Sequence, residues 1–174
     1  MAWWNPSTPE NIKPTPWLHP AAVMYLESLL RRDMMVIEHG CGGSTLWFAS
    51  QVKEVHSYEV NEAWFYAMVN KVKARENVFV HLQHNPPLFP DMKYDLLFID
   101  GWNGDRIEWI LSAPQMVVPG GAVVVDNANR PLYAIPLQKL AEYCTFPTVI
   151  STWTPQGKQV DTAFYRMKGG AEWI

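Results

Sequence analysis

Cysteine is scarce in this chain. Cys41 and Cys144 are the two thiols among 174 residues, too few for a disulfide framework, so a reducing, cytoplasmic setting is the expectation. No Cys/His spacing of the kind that holds zinc occurs. Long apolar runs are missing as well. The longest, around 116–125, is interrupted by Pro119-Gly120-Gly121 and falls short of the ~18 residues that a membrane span needs. Residues 1–6 have neither a basic stretch nor an apolar one, so no signal peptide is expected. Charge of one sign is lacking too. Charged residues make up 18 %, both signs are mixed, and the net charge is −3. That leaves no electrostatic footprint for a polyanion, and no nucleic-acid partner is expected. There is no internal repeat and no linker. The length favours one domain over 21–174, preceded by an arm, 1–20, that Pro6, Pro9, Pro14, Pro16 and Pro20 keep extended.

What is present is an alternation of strand-like and helix-like text. From Ala21 onward Val23, Leu26, Leu29 and Leu30 recur at helical spacing, with Arg31 and Arg32 at the end where the helix dipole favours cations. Short apolar runs predict strands at 34–38, 55–59, 78–82, 94–100 and 122–126, the last entered through a turn at Pro119-Gly120-Gly121. Between them the text predicts helices over 44–50, 63–73 with Asn61 as N-cap, 105–116 and 132–142. Continuous apolar strands separated by helices make a parallel sheet covered on both faces. The end departs from this. Strands at 148–153 and 162–166 are joined by too few residues for a parallel crossover, so they form an antiparallel hairpin. Nine tryptophans suit the core and edges of a small domain, with some free to line an apolar cleft.

Gly40 and Gly42 lie where a buried strand passes into a helix. Glycine permits positive φ there and lets a ligand approach the backbone, and the helix that opens near Ser44 presents free N–H groups to an anionic group. Glu59 ends the next strand, nineteen positions beyond Gly40, where an acid can accept hydrogen bonds from ribose hydroxyls. Strand, glycine turn, helix, strand and terminal acid together point to a nucleoside-containing cofactor. A dinucleotide fits less well: Thr45 stands where its fingerprint wants a small residue, and Glu38 before the turn repels a pyrophosphate but suits an ammonium.

The segment Glu38-His39-Gly40-Cys41-Gly42-Gly43-Ser44-Thr45 resembles the first motif of class I S-adenosylmethionine-dependent methyltransferases, with Ser44 in place of the third glycine. Glu59 matches that family's ribose-binding acid, and the terminal hairpin its reversed last strand. The resemblance covers about residues 20–168. It implies an α/β, Rossmann-like, mostly parallel seven-stranded sheet of order 3-2-1-4-5-7-6, the last strand antiparallel, with helices on both faces and the cofactor at the carboxyl ends of the strands. It also implies that Gly40, Gly42 and Ser44, with Thr45 beside them, cradle the methionine carboxylate, that Glu38 meets its ammonium and that Glu59 holds the ribose. Asp100 would also lie beside the cofactor. The family often has an acid after the third strand for the adenine amino group; here Gln83 or Asn85 would have to serve.

Asp100 ends the fourth strand, and Asp126-Asn127 end the fifth. Neighbouring parallel strands lie ~4.8 Å apart, so side chains leaving their ends can converge. Two carboxylates and an amide oxygen suit Mg²⁺ or Ca²⁺, and these segments resemble the metal-binding segments of catechol-type O-methyltransferases. That resemblance implies Asp100, Asp126 and Asn127 as ligands of Mg²⁺. Metal-free class I enzymes also place an acid after the fourth strand, and Asp126 can cap the following turn. Asn103 stands where the catechol family has its lysine base, so metal activation or another base, His84 or Asp105, would be needed.

Other residues have plainer readings. His39 is a local hydrogen-bonding group, and Cys41, whose position at a helix N-terminus lowers a thiol pKa, is a small turn residue. Trp17 and His19 could form a lid, and Trp102 could stack on an aromatic acceptor. The expected function is a methyltransferase using S-adenosylmethionine on a small-molecule acceptor, oxygen first, with Asp100 and Asp126 positioning or deprotonating it. A non-catalytic S-adenosylmethionine-binding protein and a nicotinamide-dependent oxidoreductase are the alternatives. Little is inserted between the fifth strand and the hairpin, so substrate recognition falls to the arm, the Trp102 loop, the Pro86-Pro87-Leu88-Phe89-Pro90 loop or a second copy of the chain.

Overall fold

The computed structural model describes residues 8–87 and 92–169. Leu88, Phe89 and Pro90 of the proline loop lie outside them. The elements follow in the order α1 (Pro20–Leu29), β1 (Met35–His39), α2 (Gly43–Ala49), β2 (Glu54–Glu59), α3 (Glu62–Val72), β3 (Val78–Leu82), β4 (Tyr94–Ile99), α4 (Arg106–Met116), β5 (Val117–Val125), α5 (Ala134–Ala141), β6 (Thr148–Trp153) and β7 (Gln159–Arg166). One seven-stranded sheet has the order β3-β2-β1-β4-β5-β7-β6. β1 pairs in parallel with β2 and β4, β2 with β3, and β4 with β5, while β7 runs antiparallel to both β5 and β6. The chain has the expected Rossmann-like order and the reversed last strand.

Period-two alternation divides the core between the sheet's two faces. Val36, Leu96, Phe98 and Val124 face α1, α2 and α3, packing with Leu26, Phe48 and Met68. Their neighbours Ile37, Leu97, Ile99, Val123 and Val125 face α4 and α5, packing with Trp109, Ile110, Ala113 and Leu140. Local chemistry starts the helices. His19 caps α1, its Nδ1 accepting from the Ala21 N–H at 3.2 Å. Asn61 caps α3, its side-chain oxygen accepting from the Trp64 N–H.

Two elements differ from expectation. The turn expected at Pro119-Gly120-Gly121 lies inside β5, where pairing with β4 jumps from Tyr94↔Val117 to Leu96↔Ala122. The extra residues fold out as a bulge, which Gly120 permits with φ +77°. The helix expected over 132–142 begins as a short 3₁₀ turn, Pro131–Tyr133, before α5.

The central register is what builds a site. His39 on β1 lies opposite Ile99 on β4, which lies opposite Val125 on β5. Three strands therefore end level, and Gly40, Asp100 and Asp126 leave them side by side.

Candidate active site

Two cavities open above these strand ends. The first, about 450 Å³, is lined by Gly40, Cys41, Gly42, Gly43 and Ser44, by Glu59, Val60, Asn61 and Trp64, and by Asp100 to Asn103. The second, about 380 Å³, lies toward the β5 and hairpin side and includes Asp126, Asn127, Arg130 and Thr162. Asp100 and Trp17 line both.

The floor of the first cavity is backbone. Gly40 adopts φ +98°, a conformation that disfavours other residues, and a Cβ there would come within 2.7 Å of the Gly101 Cα. Glu59, only 8 % exposed, has its carboxylate aimed by three backbone N–H donors: Cys41 to Oε2, and Val60 and Asn61 to Oε1. Its further lone pairs leave it an acceptor at the cavity wall.

Glu38 lies wholly beneath the turn. It is completely buried, and it accepts hydrogen bonds from the hydroxyls of Ser44, Thr45 and Ser57. Burial pushes its pKa up to about 7 against the pull of those three donors. Thr45 also accepts the Gly42 N–H, so the acid and two hydroxyls brace the glycine turn from below. Of the residues expected around the cofactor, Gly40, Gly42, Ser44, Glu59 and Asp100 line the first cavity, whereas Glu38, Thr45 and Gln83 do not. Gln83 instead donates to the Asn85 carbonyl.

Arg106, the first residue of α4, is a functional candidate that sequence reasoning missed. Only 3 % exposed, it donates from Nε to the Gly101 carbonyl, from Nη1 to the Asp126 carbonyl, and from Nη2 to both the Asp100 carbonyl and Asp100 Oδ1 at 3.0 Å. A buried cation thus already stands between the two acidic strand ends. The amide of Asn127 turns its nitrogen to Asp126 Oδ2 and gives its oxygen to Arg130, while Thr162 donates to Asp126 Oδ1. Asp100, Asp126 and Asn127 therefore do not fit Mg²⁺ as a donor set: a guanidinium fills the cation's role and the amide oxygen is engaged. Among the described residues, no group of three or more His, Cys, Asp or Glu is arranged to hold a metal ion. Burial raises the pKa of both acids, and the charge of Asp126 raises that of Asp100 further, against the opposing effect of Arg106. Oδ2 of Asp100 accepts no hydrogen bond among the described residues, and the side chain is 26 % exposed where the residue lines both cavities.

His39 differs from its expected role. Its ring is stacked on Trp109 at 5.0 Å, and neither nitrogen has a hydrogen-bond partner among the described residues. Burial holds its pKa down to about 3, so it is neutral. For Cys41, burial outweighs the helix terminus and pushes the thiol pKa up, with Glu59 and Glu38 adding to the shift. His84 pairs with Asp105 at 3.2 Å, and neither lines either cavity. Trp102 lies on the wall of the first cavity. The arm crosses this site: a Cβ on Gly43 would meet the Lys13 and Thr15 carbonyl oxygens at 2.2 and 2.3 Å. Only glycine at that position lets the arm lie down and place Trp17 between the cavities. Both cysteines are free, and no helix among the described residues is long and apolar enough to cross a membrane.

No family model and no curated protein matches this chain. Solved structures do. An rRNA methylase from Streptococcus thermophilus superposes with a TM-score of 0.70 at 12 % identity, covering 87 % of this chain and 98 % of that one. The N-methyltransferase NodS from Bradyrhizobium japonicum, in complex with S-adenosyl-L-homocysteine, gives 0.60 at 13 % identity over 78 % and 79 %. A precorrin-6y C5,15-methyltransferase from Geobacter metallireducens gives 0.65 at 14 % over 87 % and 91 %. At these identities the likeness is one of fold.

Proposed function

We propose that this chain is an S-adenosylmethionine-dependent methyltransferase acting on an oxygen of a small molecule. The observation that carries it is the juxtaposition at Asp100. One carboxylate faces both a glycine-floored cavity with a ribose-type acid and a second, separate cavity, as a transfer between a bound cofactor and an acceptor requires. Three proteins of the same fold, a methylase and two methyltransferases, one of them holding the demethylated cofactor, support the reading. The net charge of −3 favours a small acceptor over RNA.

The first cavity suits the cofactor. Its volume lies within the ~300–1,000 Å³ typical of ligand pockets, the Gly40 turn admits a ligand against bare backbone, and Glu59 is fixed to accept two ribose hydroxyls. Gly42 and Ser44 face the methionine end. When bound, S-adenosylmethionine supplies a methyl group activated by its sulfonium. The chain's own work is to align the acceptor with that methyl and to keep water out; such orientation accounts for ~7–11 kcal/mol in favourable cases. Asp100 Oδ2 would take the proton of the acceptor hydroxyl, while the methyl that the cofactor would supply passes to the oxygen and its bond to sulfur breaks, the electron pair returning to sulfur to leave a neutral thioether. Arg106 holds that carboxylate in place through Oδ1. Asp126, with both oxygens engaged, positions rather than exchanges protons.

Calorimetric titration with S-adenosylmethionine and its demethylated product tests the proposal, followed by a panel of hydroxylated aromatic acceptors. Binding of both ligands and turnover of an acceptor are expected. A folded protein that binds neither would overturn it.

A further inference from the structure

From the second cavity we infer that the acceptor carries an anionic group, a carboxylate or a phosphate, and that Arg130 is the residue that anchors it. The inference rests on the methyltransferase reading for the word acceptor, but the anion site itself rests on the geometry of this cavity.

Arg130 is half-buried on the wall of that cavity. Its Nη1 donates to Asn103 Oδ1 and its Nη2 to Asn127 Oδ1. Both acceptors are neutral amides; among the described residues the guanidinium forms no ion pair, and the nearest acid it acts on is Asp126, whose charged form it favours from a distance. Tyr133, fully buried, donates to the same Asn103 oxygen at 3.3 Å and steadies it. Asn103 thus acquires a role as the brace of an arginine. The remaining N–H groups of a planar guanidinium held on two sides form the fork that matches a carboxylate or phosphate.

The surrounding charge agrees. Arg106, Arg130 and Lys158 line the cavity with Asp100 and Asp126 as its acids. Both acids are drawn toward their neutral forms by burial and are already engaged, Asp100 by Arg106 and Asp126 by Thr162 and Asn127. The balance is positive. Thr152, Thr154 and Asn129 add neutral polar groups to the lining, and Trp17 provides an aromatic surface at the border with the first cavity. The combination describes a compact, aromatic or otherwise flat acceptor, anionic at the end away from the methyl.

The test titrates the full chain, saturated with S-adenosylhomocysteine, with 4-hydroxybenzoate, phenyl phosphate and the uncharged 4-hydroxybenzamide. The two anions are expected to bind about tenfold tighter than the amide, the scale of a charge-assisted hydrogen bond. Arg130→Gln is expected to erase that difference and Asn103→Ala to narrow it, while the melting temperature reports that the variants are folded. Lys158→Gln, on the exposed hairpin turn, offers a second variant with little risk to folding and is expected to narrow the gap. If the amide binds as well as the anions, or if the preference survives Arg130→Gln, the inference fails. Failure of S-adenosylhomocysteine to bind, with an Arg130-dependent preference for anions intact in its absence, would remove the methyltransferase reading and leave the anion site standing.

Discussion

The Cα of Gly101 lies 2.7 Å from where a Cβ on Gly40 would sit, and a Cβ on Gly101 would lie 2.8 Å from the Gly40 nitrogen. The loops that follow β1 and β4 therefore touch backbone to backbone, with no room for a methyl on either side. Gly40→Ala and Gly101→Ala are each expected to destabilise the fold by about 2 kcal/mol. Because both strain one contact, the double variant should cost less than the two effects combined. Urea unfolding of the three variants measures this; strict additivity would mean that the loops do not share a contact.

Glu59, proposed to hold the cofactor's ribose, also ties down the turn by accepting the Cys41 N–H. Glu59→Ala is expected to weaken S-adenosylhomocysteine binding about ten- to a hundredfold, the range for hydrogen bonds to a charged acceptor. Calorimetry decides it, and unchanged affinity would place the ribose elsewhere.

Glu38 makes stability depend on pH. Its native pKa of about 7 exceeds the ordinary 4.5, so the folded state holds a proton that the unfolded state gives up between those values. The contribution is fully present below pH 4.5 and is lost as pH rises through 7, a change of about 3 kcal/mol. Glu38→Gln does not titrate. The stability of the wild type relative to this variant should therefore fall across that window in urea unfolding at stepped pH, and a constant difference would exclude the linkage.

Asp100 and Asp126 should titrate above the usual carboxylate range in carbon-detected NMR, because desolvation disfavours the charge of both and the charge of Asp126 disfavours that of Asp100 further. Asp126→Asn removes the like charge and is expected to lower the pKa of Asp100. A rise, or no movement, would mean that the two do not face one another. A methyl-transfer rate dependent on Asp100 as base should increase with pH through that raised pKa.

Arg106 stands in for a metal ion. Arg106→Leu leaves buried Asp126 and half-buried Asp100 without their cation and is expected to cost about 3 kcal/mol. Chelators, by contrast, should leave wild-type stability and ligand binding unchanged. A loss on adding EDTA that Mg²⁺ restores would argue for a metal at the strand ends after all.

The order of strands and helices was legible because it is written in short-range periodicity. Short runs such as 94–99, bounded by turn residues and too brief for a helix, read as buried strands, and a connection as short as 154–158 between β6 and β7 can only reverse direction. The Gly40 turn and Glu59 were legible for a similar reason: each ends a strand, and the strand ends of a parallel sheet face one place. The bulge in β5 was not, because Pro119-Gly120-Gly121 reads locally as a turn, and pairing with β4 on one side and β7 on the other absorbs it into the strand. The chemistry of each acid was decided in three dimensions. Glu38 looked free to meet a ligand, yet Ser57, from the neighbouring strand, joins Ser44 and Thr45 in enclosing it. Asp100, Asp126 and Asn127 read as a metal set until Arg106 swings from the start of α4 into the space between them. Strand ends are set by local hydrogen bonding and hydrophobic pattern, which a sequence displays. Which charge a buried carboxylate meets depends on side chains that arrive from distant segments, and only the packed structure brings them together.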